Sequence, residues 1–272
     1  MISRLIRANI GYSVLINKSI RCRMSTIEPP SKKIKLVQEM QSIINKGVPP
    51  TDGSSETPII RPKKPLVWID CEMTGLDINN DHIIEICCLI TDGDLNIVDE
   101  TGYESTVYYD KSVLDNMNEW CINQHGKSGL TEKILQNPQQ TLSKVQQELF
   151  DYIKRYIPEE RKGVLAGNSI HMDKFFMYRE FSEVINHLHY RLVDVSTIME
   201  FGHRHNPNLM KVTPKKVGSH TARSDIIESI NQLKWYREHY FKSPQETQQF
   251  VKEQQDRMIE EITKESTLEK QE

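Results

Sequence analysis

The sequence predicts an α/β fold built on one mixed sheet, with polar tails at both ends. Three observations carry this. Apolar, β-branched segments come first as neighbours joined by turns, then alternate with helical periods, an order that combines antiparallel and parallel pairing. Only 37% of the 272 residues are hydrophobic, below the usual globular range of about 45–50%, so one folded domain is diluted by polar tails. No internal repeat is visible, and no run approaches the roughly 18 consecutive apolar residues of a membrane span.

Residues 1–24 contain Arg4, Arg7, Lys18, Arg21 and Arg23 and no acid, interleaved with Ile2, Leu5, Ile6, Ile10, Val14, Leu15 and Ile16. Arg-rich, Ser-containing, acid-free and amphipathic is the profile of a mitochondrial transit peptide; a basic tail is the plainer alternative. Met24 opens a second start, which would yield a form lacking this segment and a non-mitochondrial product. Residues 25–64 hold Pro29, Pro30, Pro49, Pro50, Pro58 and Pro62, a linker with one short helical stretch at Ile34 to Ile44.

Order begins at Pro65. Leu66 to Cys71 reads as a strand, Ile83 to Thr91 as a second one buried on both faces, and Gly102 to Tyr109 as a third. Asp92-Gly93-Asp94 is a hairpin signal. Residues 112–123 and 128–135 predict short helices. Thr141 to Ile157 carries Leu142, Val145, Leu149, Tyr152, Ile153 and Tyr156 at three- and four-residue spacing, an amphipathic helix. Gly163 to Ala166 is a short strand with a helix from about Met172. Tyr190 to Val193 is another strand, with a helix from Ser196. Thr221 to Tyr240 predicts a helix, and the polar stretch 245–268 another. The folded domain therefore spans 65–243, and 244–272 is a charged helical tail.

The net charge of −3 excludes a wholly basic, histone-like binder but leaves room for a local basic groove or for metal ions. Cys22, Cys71, Cys87, Cys88 and Cys121 form no CxxC pair, which argues against a zinc knuckle and for reduced thiols. GxGxxG, Walker A and HExxH motifs are absent. What remains is a dispersed set of acids near strand ends and helix starts.

Asp70 and Glu72 close the first strand. Alternation puts them on one face and Cys71 on the other. Two carboxylates this close repel unless a cation sits between them, and hard oxygen ligands favour Mg²⁺ or Mn²⁺, although DxE alone is a common chance pattern. Asp173 follows a small-residue loop and falls in the first turn of a helix, where it reads either as a ligand or as an acid that stabilises the helix dipole. In His220-Thr221-Ala222-Arg223-Ser224-Asp225, a five-residue offset on one helix would separate the side chains by about 140°. His220 therefore belongs in the loop before the helix, with Asp225 on the face toward the sheet. A mobile histidine beside an attacking water suits a general base; the alternative is an ordinary surface histidine.

The order Asp-x-Glu, Asp, His-x4-Asp resembles the DEDDh 3′→5′ exonucleases. Within them, several stretches are similar to the oligoribonucleases: Asp70-Cys71-Glu72-Met73-Thr74-Gly75-Leu76; Trp120-Cys121 with His125-Gly126 and Ser128-Gly129-Leu130-Thr131; Ala166-Gly167-Asn168-Ser169 with Asp173; Tyr190-Arg191 with Asp194-Val195-Ser196-Thr197; and His220-Thr221-Ala222 with Asp225-Ile226. The resemblance runs from about Pro65 to Tyr240. It implies an RNase H-like fold, a mixed five-stranded sheet flanked by helices, in a homodimer. It implies two divalent ions, Mg or Mn, held by Asp70, Glu72, Asp173 and Asp225, with His220 activating the attacking water. It further implies that Leu76 wedges against terminal bases and that Trp120 stacks on one, where core packing is the plainer role for both. Ser169, Arg191 and Ser196 would cap the 5′ phosphate of a dinucleotide, with Tyr190 supplied by the other protomer. The expected activity is removal of 5′-mononucleotides from the 3′ ends of short single-stranded RNA, with no membrane involved. Trimming of longer RNA is the alternative, and a non-catalytic RNA-binding scaffold a more distant one. Asp194 reads as structural, and His187, His189, His203 and His205 as surface or packing residues.

Overall fold

The computed structural model describes residues 61–214 and 221–268. The segment 1–24, Met24, the linker up to residue 60, the final residues 269–272 and His220 lie outside the described residues.

Five strands form one sheet in the order β3-β2-β1-β4-β5. β1 (Leu66–Met73), β2 (Ile83–Thr91) and β3 (Tyr103–Thr106) pair antiparallel, while β4 (Val164–Gly167) and β5 (His189–Asp194) add parallel strands beside β1. This is the α/β, RNase H-like architecture that the resemblance implies. β2 is buried along its whole length. Strand alternation sorts the core into two layers. Val67, Ile69, Ile86 and Cys88 face α4 (Leu142–Tyr156), α5 (His171–Glu180) and α6 (Ser182–His187). Trp68, Cys87 and Leu89 face α7 (Val195–His205) and α9 (Ala222–His239), where Ile226, Ile230 and Tyr236 meet them. Asp70 and Glu72 follow Trp68 at two-residue steps and so share its side of β1. A buried Val, Leu or Ile stabilises each layer by about 1.5–3 kcal/mol.

Local chemistry explains several boundaries. Thr141 caps α4 by accepting the Lys144 N–H, and Val145, Leu149 and Ile153 form its buried stripe. The helix expected over 112–123 is instead two, α1 (Lys111–Asp115) and α2 (Glu119–Lys127), because Asn118 accepts the Cys121 N–H at 3.0 Å and starts a new helix. α2 and α3 (Leu130–Leu135) lie over a small cluster around Ile84, Leu114 and Ile134. β3 is shorter than the expected Gly102 to Tyr109. Tyr108 donates its N–H to the Gln140 carbonyl at 2.8 Å, which pulls the chain off the ladder. Gly102 opens β3 at φ +65°, where a Cβ would lie 2.4 Å from Leu89 Cδ2, so only glycine fits. The turn at Asp92 closes a single bridge, Thr91 to Ile97, rather than the whole β2–β3 hairpin. α8 (Pro207–Met210) follows α7. α10 (Pro244–Leu268) begins with a reciprocal pair: Ser243 donates its N–H to Glu246 Oε2 at 2.8 Å, and Ser243 Oγ accepts the Glu246 N–H at 3.2 Å. No described helix is long and apolar enough to cross a membrane.

Candidate active site

The ladder between β1 and β4 covers only Leu66 to Trp68. The last residues of β1 outrun their parallel neighbour, and the backbone there needs another partner. Asp173, in the first turn of α5, supplies it: its Oδ1 accepts the Cys71 N–H at 3.0 Å. Asp173 is thus fixed against the strand that carries Asp70 and Glu72. Its carboxyl is pushed up to about 7, chiefly by burial. Glu72 is likewise pushed up to about 7, by burial first and then by the charges of Glu85, Asp225 and Asp173. The Cys71 thiol is raised by burial and further by Asp173, Asp70 and Glu72. Asp173 and Asp225 therefore bear on Glu72, and Asp70 and Asp173 on Cys71, from around the end of β1. Asp225 comes from the first turn of α9, whose N-cap is Thr221. Arg223 pins that turn by donating to the Glu100 and Thr101 carbonyls.

The donor chemistry fits hard divalent cations, since every member is a carboxylate, and burial holds Glu72 and Asp173 toward the neutral form until positive charge arrives. Carboxylates that repel one another do not close into a ready-made cage. Among the described residues, no three His, Cys, Asp or Glu side chains are grouped to hold an ion.

The pattern of motifs missed Glu85. It is the lone acid in the apolar run of β2, it lies directly opposite Glu72, and Lys133 Nζ holds it at 2.8 Å and Glu104 at 3.1 Å. An acid inside an otherwise apolar strand was the available signal. His125 lies in one of the stretches similar to the oligoribonucleases. It is buried, and its Nε2 lies 3.0 Å from the Met73 carbonyl, which ties α2 to the end of β1.

Core packing is not the role of Leu76 or Trp120, which are 76% and 69% exposed. Leu76 sits in the β1–β2 loop and Trp120 in the first turn of α2. Ser169 and Ser196 meet where the β4–α5 loop passes the start of α7. Ser169 has φ +52°, its N–H donates to Asp194 Oδ1 and Ser196 Oγ, both at 2.9 Å, and the two hydroxyls are 3.2 Å apart. Asp194 also caps α7 through the Ser196 N–H. Tyr190 and Arg191 lie at the opposite end of β5, exposed, with the Arg191 guanidinium 5.5 Å from the Tyr190 ring centre. His187 is a core residue whose Nε2 lies 2.8 Å from the Ile157 carbonyl.

A mixed sheet of this order, with carboxylates near the end of its central strand, suits a nuclease, and the comparisons give the family. The exonuclease family RNase T matches residues 67–233. The mitochondrial oligoribonuclease of Saccharomyces cerevisiae is 57% identical over 202 residues, covering 71% of this chain and 75% of that protein. The human mitochondrial oligoribonuclease is 44% identical over 179 residues, covering 65% and 73%. The backbone is also similar to E. coli exonuclease I in complex with a dA16 oligonucleotide, with a TM-score of 0.49 and 13% identity over 64% of this chain and 40% of that one. The chain belongs to the oligoribonuclease family, and it is a hydrolytic 3′→5′ exoribonuclease.

Proposed function

We propose that this enzyme degrades short single-stranded RNA to 5′-mononucleotides in mitochondria. In this reading Asp70, Glu72, Asp173 and Asp225 hold two divalent ions, Mg²⁺ or Mn²⁺, and His220 is the general base. The observation that supports it is Asp173 locked onto the Cys71 N–H, between Asp70 and Glu72 on β1. Bound divalent ions supply Lewis acidity at the scissile phosphate and bring hydroxide within reach near neutral pH. The chain's residues do the rest. His220 takes the proton from the attacking water, the new bond forms at phosphorus, and the bond to the 3′ oxygen breaks. Asp173 keeps its orientation through the Cys71 amide instead of through a mobile rotamer.

Leu76 and Trp120 are the base contacts; their exposure supports this, and stacking is worth roughly 1–3 kcal/mol per base without sequence preference. Ser169, Ser196 and Arg191 cap the 5′ phosphate, and Tyr190 reaches in from the second protomer of a homodimer. A cap two nucleotides from the cleavage point favours very short RNA, because a longer chain collides with it. The exonuclease domain is 65–243, with 1–24 a transit peptide, 25–64 a linker and 244–272 a tail. The mitochondrial names of the relatives support that location. Timed digestion of 5′-labelled RNAs of two to twenty nucleotides, with Mg²⁺ or Mn²⁺, tests the reading. Faster turnover of dinucleotides is expected. Equal or faster cutting of the longest chains would instead establish trimming of longer RNA.

A further inference from the structure

The loop of residues 74–82 carries Leu76 and is built as a fixed unit. Asp81 accepts the Thr74 hydroxyl and the Asp77 N–H, each at 2.8 Å, and Thr74 Oγ1 accepts the His82 N–H at 2.9 Å. A Cβ on Gly75 would lie 2.3 Å from Asp81 Oδ2, so the carboxylate can close over the loop only at glycine.

The far end of α5 fastens this unit from outside. Arg179 donates to the carbonyls of Ile78 and Asp81. Glu180 is buried; its Oε2 accepts the Ile83 N–H at 2.8 Å, and its Oε1 lies 2.8 Å from both His82 Nδ1 and Arg179 Nη2. Asp173 and Glu180 are seven residues apart on this helix. Seven steps of 100° fall about 20° short of two full turns, so both face the β1–β2 unit, roughly 10 Å apart along the axis. One helix therefore grips the carboxylate-bearing strand at one end and the Leu76 loop at the other.

We infer that Arg179 and Glu180 are positioning residues that set the place of Leu76 relative to the cleavage centre, and so govern affinity for short RNA. The inference rests on the reading of Leu76 as a base contact. A nine-residue loop without this clamp would have to be ordered by the substrate, and that ordering would be subtracted from binding. With the clamp, the wedge is in place before RNA arrives. No step of hydrolysis passes through either residue, so the effect appears in KM.

The test compares a 5′-phosphorylated diribonucleotide with the p-nitrophenyl ester of thymidine 5′-monophosphate, which has no second base to wedge. Arg179→Ala should raise the dinucleotide KM by about tenfold, keep kcat within about twofold, and leave hydrolysis of the ester unchanged. Arg179→Lys should restore part of the KM, since one ammonium can serve one of the two carbonyls. Leu76→Ala should raise KM similarly, and Leu76→Ala with Arg179→Ala should be no worse than Leu76→Ala alone. Glu180→Gln keeps an acceptor for the Ile83 N–H and should fall between wild type and Arg179→Ala. If Leu76→Ala raises KM but Arg179→Ala does not, or if their effects add, the positioning role is wrong while the base contact stands. If Leu76→Ala leaves KM unchanged, the base contact fails and the inference with it. Equal losses on both substrates would make the clamp a general support of the fold and overturn the inference.

Discussion

Glu72 and Glu85 stand directly opposite each other across the β1–β2 ladder, a like-charge pairing that sheets avoid. Lys133 takes Glu85 at 2.8 Å. Glu72 is left to face Glu85, Asp225 and Asp173, and its carboxyl is pushed up to about 7.

Stability should therefore fall as pH rises. Glu72 and Asp173 both sit near 7 in the fold and near 4 in an unfolded chain. The folded state holds protons that the unfolded state releases between these values, so their contribution is complete below about pH 4 and lost as pH rises through about 7. In chelator, the melting temperature should drop by several degrees between about pH 5.5 and 8.5, at about 2–4 °C per kcal/mol for a domain of this size. Mn²⁺ or Mg²⁺ should restore most at the alkaline end, and Glu72→Gln should flatten the profile. A melting temperature that climbs across this window, or an unchanged slope in Glu72→Gln, contradicts the assignment.

Asp173→Asn separates structure from charge. The amide oxygen can still accept the Cys71 N–H, so the fold should be retained, and in chelator the melting temperature should match the wild type below about pH 5.5 and exceed it at alkaline pH, where the wild-type carboxyl is charged. Cleavage should fall by about 10²–10³-fold, the loss seen when one strong electrostatic group is removed from an active site. Asp70→Ala should be equally inactive. Single-turnover cleavage alongside circular dichroism measures both, and full activity of either variant with Mg²⁺ would sink the carboxylate site.

His220→Ala should keep metal and RNA binding yet lose turnover. General-base catalysis is worth roughly 10²–10⁴-fold, so kcat should fall by about that much with KM little changed. The rising limb of the wild-type rate–pH profile should vanish. Loss of RNA affinity with single-turnover chemistry preserved would recast His220 as a ligand contact.

Tyr190 is 67% exposed in the single chain, as a residue serving a neighbour's site would be. Tyr190→Ala should slow dinucleotide cleavage by about tenfold or more, the loss expected when a hydrogen bond to a charged group, worth about 1.5–3 kcal/mol, is removed, in protein that still sediments as a dimer. Wild-type rates from a dimeric Tyr190→Ala enzyme would disprove the shared site.

Segment 1–24 should carry a reporter to mitochondria, and replacing Arg4 and Arg7 with Glu should block import. Fluorescence microscopy reads the outcome; a reporter left in the cytosol by the intact segment refutes the targeting role.

Sequence reasoning reached furthest where the signal is local. The bounds of β2 and the α4 stripe follow from neighbouring residues, and the structure has them. The break between α1 and α2 is also local, since Asn118, inside the helix expected over 112–123, caps a new one by accepting the Cys121 N–H. The end of β3 was not legible, because the Gln140 carbonyl that draws Tyr108 away lies 32 positions on. The acids of the candidate site stood out as types near strand and helix ends. Their mutual field needed the register that sets Glu85 against Glu72. The clamp from Arg179 and Glu180 spans about a hundred positions and leaves no periodic trace.

Cys71 sits between Asp70 and Glu72 on β1, buried, its thiol held protonated first by burial and then by surrounding negative charge. Cys87, Cys88 and Cys121 are also buried, with thiols raised by burial. Peroxides and alkylating agents attack the thiolate. Burial and the field of the neighbouring carboxylates together therefore passivate the sulfur, and β1 should resist oxidative inactivation without any dedicated shield.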